Sequence, residues 1–206
     1  MSTQKTCYTQ IKRIFDIFFS FIGLAILSPV FIIIGLAVYL DDPHGSPVFF
    51  QSRIGKDGKP FTMYKFRTMV KGAEEMKPDM QKLNEMDGPV FKIKKDPRMT
   101  HLGSYLRRTG LDELPQLFNI LRGDMSFVGP RPPLPEEVTC YSEYQKQRLS
   151  VLPGLTCTWQ IMPNRNDISF YDWVEMDLDY IAHRSVLLDL KVICKTPMAM
   201  IHKGGR

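Results

Sequence analysis

The chain has 206 residues, of which 44% are apolar and 24% are charged, a composition typical of one folded domain with at most an appendage and not of a disordered chain. Only one stretch is apolar enough to enter a lipid bilayer, which excludes a membrane protein with several spans. The 27 basic and 22 acidic residues leave a net charge of +5, which points to an anionic partner: nucleic acid, a phosphate-bearing ligand or a lipid surface. The cysteines and histidines show no metal-ligand spacing, and neither a P-loop nor a dinucleotide-binding fingerprint is present.

A long apolar segment covers residues 14–40, where Asp16 is the only charged residue. Ser28 and Pro29 lie at its middle, and a proline inside a helix removes an N–H and kinks or breaks the helix. Three arrangements remain open: a kinked helix that spans the bilayer once, a helix that turns at Ser28-Pro29 and leaves on the same face, and a buried helix of a soluble protein. Basic residues on both flanks are consistent with two cytoplasmic ends; they are Lys5, Lys12, Arg13, Arg53, Lys56 and Lys59.

A β-hairpin is predicted after the turn-rich residues 42–47. Strand-like runs at residues 48–54 and 61–69 flank the sequence GKDG, which contains the Asp-Gly pair typical of a hairpin turn. Lys65 and Arg67 share one face of the second strand. They form either a solvated basic edge that discourages strand pairing or a grip for a phosphate.

The rest of the chain is largely helical in pattern, so the predicted fold class is α+β, mainly helical. Helices are predicted at residues 71–87, 101–108, 134–149, 169–183 and 186–202, with a short strand at 90–95. The last helix either packs on the core or lies at the lipid interface with its lysines toward the headgroups. We expect residues 1–43 to form the membrane part and residues 44–206 to form the cytosolic part.

The sequence LDELPQLFNIL (residues 111–121) carries the most informative polar pair. Its leucines and Phe118 fall on one helical face, and Pro115 is tolerated only in a helix's first turn. The helix is therefore expected to begin at or just after Asp112, which places Asp112 and Glu113 at its N-terminus. An Asp in that position is usually only a helix cap. The alternative is a site for magnesium and a diphosphate, because Arg107 and Arg108 precede the pair and Arg131 is held between prolines downstream.

Six motifs together resemble the monotopic phosphoglycosyl transferases, which form the bacterial sugar transferase family. They are KRIFD (residues 12–16), SP (28–29), KFRTM (65–69), LDELPQ (111–116), GDMSFVGPRP (123–132) and LDLK (188–191). The resemblance implies transfer of a sugar 1-phosphate from a UDP-sugar to polyprenyl (undecaprenyl) phosphate, with release of UMP. It also implies a re-entrant membrane helix broken at Ser28-Pro29, interfacial helices, and a place on the cytoplasmic face of the bacterial inner membrane.

The resemblance also implies roles for individual residues. Asp112 is expected to be the nucleophile that forms an aspartyl phosphosugar, and Glu113 is expected to help hold Mg²⁺ with Asp112 or to assist the second attack. Asp177 matches a family position important to the site. The expected phosphate contacts are Lys65, Arg67, Arg108 and Arg131.

The motifs indicate the class of reaction more narrowly than they indicate the donor sugar. DGPVFK (residues 87–92) and TWQ (158–160) are similar to members that use glucose or galactose, but the glycine usual after the second motif is replaced by Met162. Donors with N-acetylated or diamino sugars remain alternatives. So does a nonenzymatic membrane adaptor in which Asp112 is only a cap. No nucleic-acid-binding motif is present, and a homodimer is left open.

Overall fold

A computed structural model describes residues 3–93, 95–163, 165 and 167–202. Lys94, Asn164, Asn166 and residues 203–206 lie outside the described residues. The helices are α1 (Thr3–Asp41), α2 (His101–Thr109), α3 (Gln116–Arg122), α4 (Pro135–Thr139), α5 (Glu143–Lys146), α6 (Phe170–His183) and α7 (Val186–His202). The strands are β1 (Val48–Ile54), β2 (Pro60–Phe66), β3 (Ser126–Val128) and β4 (Gly154–Thr156).

The N-terminal helix α1 has 39 residues and contains Pro29. Its apolar segment is long and apolar enough to cross a membrane. The prediction that the helix is interrupted at Ser28-Pro29 is not confirmed, because α1 continues through both residues. Pro29 has no N–H to donate to the carbonyl of Ala25. The Ser28 hydroxyl donates to that carbonyl at 2.9 Å, so a side chain replaces the missing backbone donor.

One side of α1 packs on the rest of the chain, and the other side is exposed. Leu24, Leu27 and Phe31 pack against a cluster that includes Leu117 and Ile120 of α3. Further along α1, Ile34 and Val38 belong to a second cluster with Phe66 and Leu106. The exposed side is almost entirely apolar; it includes Ile14, Phe18, Phe21, Ile26, Ile32, Ile33, Leu36 and Leu40. Such a continuous apolar surface is typical of contact with lipid or with a partner protein.

Both ends of α1 are fastened to the same folded unit by polar contacts. Near its start, Tyr8 and Lys12 bind the Asp189 carboxylate of α7 at 2.9 and 2.7 Å. At its end, the Asp42 carboxylate accepts a hydrogen bond from Arg67 at 2.8 Å. Residues on both sides of the predicted boundary at residue 43 are therefore in direct contact, and the assignment of residues 1–43 to the membrane and 44–206 to the cytosol stays a prediction.

The predicted hairpin is confirmed. Strands β1 and β2 pair antiparallel, with Arg53 opposite Phe61 and Phe49 opposite Lys65. Asp57 and Gly58 adopt positive φ values of 56° and 76° in the turn, as an Asp-Gly turn requires. A second pair, between the parallel strands β3 and β4, was not predicted. There the two chains approach so closely that a Cβ on Gly154 would lie 2.1 Å from the backbone nitrogen of Gly129.

The predictions for α2, α6 and α7 are confirmed. Thr100 and Ser169 cap α2 and α6 by accepting from backbone N–H groups of the first turn. On α7, Val192 is buried whereas Leu187, Leu190 and Met198 are exposed. This last helix thus packs on the core along one face and leaves apolar side chains on the other.

Two other predictions are wrong. Residues 71–87 form turns and a 3-10 segment (Pro78–Leu83) instead of an α-helix, and no strand occurs among the described residues of 90–95. The side chain of Asn84 explains part of this difference, because its amide binds the backbone of Met86, Val90 and Lys92. Such side-chain bonds compete with regular secondary structure.

Two further predictions hold only in part. The expected helix at 134–149 is divided into α4, α5 and a 3-10 segment (Gln147–Ser150), because Ser142 caps a new helix start. The expected helix start at Asp112 lies later, since α3 begins at Gln116 after Pro115. Asp112 and Glu113 instead belong to a short 3-10 turn (Leu111–Glu113).

A buried ion pair joins Arg148 to Asp177 of α6. Both side chains are 1% exposed, and Arg148 also binds the Tyr141 hydroxyl at 3.0 Å. Burial raises the pKa of Asp177, and the charge of Arg148 opposes that rise. The pair lies beside an aromatic cluster built on Tyr141, Phe170 and Trp173, so its function in the structure is to neutralise two charges inside the core.

Asp177→Asn is expected to lower the free energy of unfolding by about 3–5 kcal/mol, because it leaves the Arg148 guanidinium buried without a counterion. The measurement is denaturant unfolding in detergent. Asp179→Asn on the exposed face of α6 is the matched control, with an expected change within about 0.5 kcal/mol. An Asp177→Asn variant as stable as the control would contradict a structural role for the pair.

Candidate active site

A large cleft of about 780 Å³ lies above the 3-10 turn Leu111–Glu113. Its described lining is strongly basic, because nine lysine and arginine side chains face three acidic ones. The basic residues are Arg53, Lys65, Lys92, Lys95, Arg98, Arg107, Arg108, Arg131 and Arg165, and the acidic ones are Asp96, Asp112 and Glu113. The volume suits a nucleotide-sized ligand, and the excess of positive charge indicates that the ligand is anionic.

The local sequence explains why Asp112 and Glu113 face this cleft. Gly110 adopts φ 71° and ends α2, so the chain reverses direction immediately before the acid pair. Leu111 and Leu114, on either side of the pair, pack against the cluster of Phe66 and Leu106. The apolar neighbours anchor the turn in the core and leave the two carboxylates at the wall of the cleft.

The two adjacent carboxylates have different environments. Asp112 is 4% exposed; burial raises its pKa to about 6, the Glu113 charge adds to the rise, and Lys65 opposes it. Burial also acts to raise the pKa of Glu113, but the charge and hydrogen bond of Lys65, together with Arg107 and Arg53, lower it below its usual value. The Lys65 ammonium binds the Glu113 carboxylate at 2.7 Å. Glu113 is therefore held as an anion by Lys65, whereas Asp112 is a poorly hydrated carboxylate.

Two arginines stand at one end of the cleft. Arg131 binds the Glu137 carboxylate through both terminal nitrogens, at 3.0 and 3.3 Å. Arg53 donates to the Pro132 carbonyl at 3.0 Å and to the Gln51 amide oxygen at 2.6 Å. The sequence pattern alone indicates Arg53 only as a basic flank of the apolar segment and not as a site residue. The hairpin contains the missed signal, since the turn at 55–58 puts residue 53 on the same strand face as Lys65.

Five of the seven predicted site residues line the cleft: Lys65, Arg108, Asp112, Glu113 and Arg131. Arg67 does not reach it. Strand β2 ends at Phe66, and the Arg67 guanidinium turns to the Asp42 carboxylate and carbonyl instead. Asp177 does not reach the cleft either, because it forms the buried pair with Arg148. The expected side-by-side projection of Lys65 and Arg67 is therefore wrong.

The donor set limits the kind of metal site that could form. Among the described residues, no group of three or more His, Cys, Asp or Glu side chains could enclose a metal ion. Two adjacent carboxylates are present, and Mg²⁺ is commonly held by one or two carboxylates together with substrate phosphates. Asp112 and Glu113 thus fit a magnesium ion shared with a bound diphosphate and do not fit a closed protein cage.

Comparison with known proteins agrees with the motifs. A chain named galactosyl transferase CpsE from Streptococcus agalactiae is 43% identical over 185 residues, which are 90% of this chain and 41% of that protein. The exopolysaccharide production protein ExoY of Sinorhizobium fredii is 40% identical over 200 residues, 94% of this chain and 87% of that protein. The undecaprenyl-phosphate galactose phosphotransferase of Salmonella typhimurium is 37% identical over 203 residues, 95% of this chain and 41% of that protein.

The chain therefore spans about two fifths of the length of two of these relatives and most of the length of the third. The family model described as bacterial sugar transferase matches residues 7–203, which include the cleft, the acid pair and nearly all of α1. Because the match extends over almost the whole chain, the protein belongs to the bacterial sugar transferase family.

Proposed function

We propose that the protein transfers a sugar 1-phosphate from a UDP-sugar to polyprenyl phosphate at a membrane surface and releases UMP. The observation that carries the proposal is the buried Asp112 carboxylate, with its pKa raised to about 6, at the wall of a large basic cleft. A carboxylate that is ionised at neutral pH but poorly hydrated is a competent nucleophile. The Salmonella relative is named for undecaprenyl phosphate and galactose, which supports this class of acceptor.

The proposed reaction has two balanced steps. In the first, an Asp112 carboxylate oxygen forms a bond to the β-phosphorus of the UDP-sugar. The bond from that phosphorus to the oxygen bridging the two phosphates breaks, and UMP leaves with the electron pair. In the second, an oxygen of polyprenyl phosphate attacks the same phosphorus, and the bond to Asp112 breaks. The product is a polyprenyl diphosphate sugar, and the Asp112 carboxylate is restored.

The surrounding side chains suit this chemistry. Lys65 holds Glu113 at 2.7 Å and lies near enough to affect the Asp112 charge. Arg108 and Arg131 line the same cleft and would stabilise the negative charge that develops on the phosphates. Arg131 is well placed for a fixed contact, because Glu137 and the flanking prolines restrict its movement.

We propose Mg²⁺ as the metal cofactor, held by Asp112 and Glu113 together with the diphosphate. When bound, it would neutralise phosphate charge and support departure of UMP. The expected result of removing divalent metal with EDTA is loss of UMP release and recovery with MgCl₂, measured by a coupled UMP assay. Unchanged activity in EDTA would contradict a metal requirement.

For the donor we propose a UDP-hexose, with glucose or galactose first. The name of the Streptococcus relative refers to galactosyl transfer, and the segments DGPVFK and TWQ are similar to such members. Val90, Phe91 and Lys92 of the first segment and Trp159 and Gln160 of the second line the cleft. Donors with N-acetylated sugars are the alternative that a donor panel tests.

Asp112→Asn is expected to abolish UMP release, because the amide is not a nucleophile, while the fold survives this isosteric change. Asp179→Asn, which makes the same chemical change on an exposed side chain outside the cleft, is the control and is expected to keep full activity. Mass spectrometry of wild type incubated with donor alone is expected to show a hexose phosphate adduct that Asp112→Asn lacks. Equal UMP release from both variants would contradict Asp112 as the nucleophile and leave it a structural residue.

We also propose that α1 is re-entrant at the cytoplasmic face of the inner membrane, so that both of its ends lie on one side. Support comes from the polar contacts of Tyr8 and Lys12 with Asp189 at one end and of Asp42 with Arg67 at the other. A helix that placed its two ends on opposite sides of the bilayer could not keep both sets of contacts.

Two exposed native cysteines test this topology. Cys7 precedes the apolar segment and Cys140 lies at the end of α4. In variants that keep only one of the exposed cysteines, a membrane-impermeant maleimide is expected to label neither residue in intact spheroplasts and both after lysis. Labelling of Cys7 alone in intact spheroplasts would support a single span instead.

A further inference from the structure

A small side cavity opens beside Glu113 at the end of the cleft. Its volume is about 60 Å³, and since one water molecule needs about 10–15 Å³ of such space, it has room for a few oxygen-sized atoms and not for a sugar ring or a base. Its polar lining side chains are Arg53, Lys65, Arg131, Glu113, Gln116 and Gln160, and the rest of its wall is apolar or glycine. The cavity therefore presents three cations, two amides and one carboxylate to any group that enters.

Two of these three cations already have an acidic partner. Lys65 is paired with Glu113 at 2.7 Å, and Arg131 is paired with Glu137 at 3.0 Å. Arg53 differs: its hydrogen bonds go to a carbonyl and an amide oxygen, and it forms no ion pair with any carboxylate in the described ranges. The cavity wall thus has one cation, Arg53, that nearby glutamates influence only from beyond ion-pair distance.

That charge is buried, because Arg53 is 8% exposed. A buried ion without a counterion is unfavourable and is normally paired or bound to a ligand. Burial also lowers the pKa of Arg53, to about 10, which still leaves the side chain charged at neutral pH. The arrangement is consistent with a site whose missing counterion is supplied by a bound anion.

Gln116 provides a second and independent observation. It is 2% exposed, and its Nε2 has no hydrogen-bond partner within the part of the chain that the structure describes. A buried amide nitrogen without an acceptor is rare and calls for an explanation. Because Gln116 lines the same small cavity as Arg53, one anion with several oxygens would satisfy both side chains.

We infer that this cavity is a phosphoryl-binding subsite in which Arg53 and Gln116 hold non-reacting oxygens of a phosphate group beside Glu113. The inference deepens the proposed function and rests on it for the identity of the natural ligand, but not for the binding of a phosphate itself. The phosphate would come either from the UDP-sugar diphosphate or from the acceptor lipid, since both offer the same oxygens.

The first experiment uses inorganic phosphate as the probe. Phosphate binding to the full chain in detergent is measured by titration calorimetry for wild type, Arg53→Gln and Gln116→Met. A chelator is present, and NaCl at matched ionic strength serves as the comparison titrant. We expect phosphate affinity to fall about 10- to 100-fold in Arg53→Gln, as for loss of a charge-assisted hydrogen bond. We expect a smaller fall in Gln116→Met.

Gln116→Met removes no hydrogen bond that its amide nitrogen makes in the protein, so it is expected to fold even if Arg53→Gln does not. Arg122→Gln is the control for lost charge, because Arg122 is exposed and pairs with Asp124 outside the cleft. It is expected to bind phosphate as wild type does. Wild-type affinity in both test variants, or a wild type that binds phosphate no better than chloride, would overturn the inference.

The second experiment identifies the source of the phosphate. For a reaction with a covalent intermediate, kcat/KM for the donor and kcat/KM for the acceptor report separate half-reactions. If Gln116→Met lowers kcat/KM only for the donor, the phosphate comes from the UDP-sugar diphosphate. If it lowers kcat/KM only for the acceptor, the phosphate comes from the lipid. If it lowers both values, the subsite serves both steps. No fall in either would overturn a role in turnover. If wild type releases no UMP but phosphate binding still depends on Arg53 and Gln116, the proposed function fails while the subsite stands.

Discussion

One buried carboxylate on α1 determines which face of the apolar helix packs against the domain that contains the cleft. Asp16 is the only charged residue in the apolar segment, and it is 3% exposed. Its carboxylate accepts from the Ser126 hydroxyl at 3.0 Å and from the Phe127 backbone N–H at 3.1 Å, both in β3. Such a charge is unfavourable in lipid, so the contact fixes which face of α1 turns toward the folded domain.

The neighbouring residue of α1 reinforces this attachment. Arg13 donates to the carbonyls of Ile120 and Leu121 at 2.6 and 2.8 Å, where α3 ends and its last carbonyl groups need partners. The acid pair lies just before the other end of α3. The motif KRIFD thus holds both β3, which leads into Arg131, and α3, which follows Asp112. The apolar helix α1 is therefore joined by direct hydrogen bonds to the elements that flank the catalytic candidates.

The surface divides into an apolar part and a cationic part. Exposed apolar side chains follow the outer side of α1 and one side of α7, whereas nine basic residues surround the cleft. The net charge of +5 is therefore explained by the cleft and requires no nucleic-acid partner. The same folded chain thus carries an exposed apolar surface and a strongly cationic cleft.

The sequence by itself determined the elements whose signals are local. Residue periodicity, caps and the Asp-Gly turn were enough for the hairpin, α2, α6 and α7, and the spacing of Pro115 and the leucines drew attention to Asp112 and Glu113. Lys65, Arg108 and Arg131 were predicted as phosphate contacts through the resemblance to the bacterial sugar transferases, and all three line the cleft.

Tertiary structure decided what depends on residues distant in the chain. Arg67 is two residues from Lys65, yet it binds Asp42, which the chain brings beside it from the end of α1. Asp177 forms a buried ion pair with Arg148. Arg53 lines the cleft and binds the Pro132 carbonyl. In both cases the partner comes from another element of the fold. Burial and pairing of a charge are set by such long-range packing. For that reason the sequence could predict the acid pair, whereas only the folded chain distinguished the cations that face the cleft from those that hold the structure together.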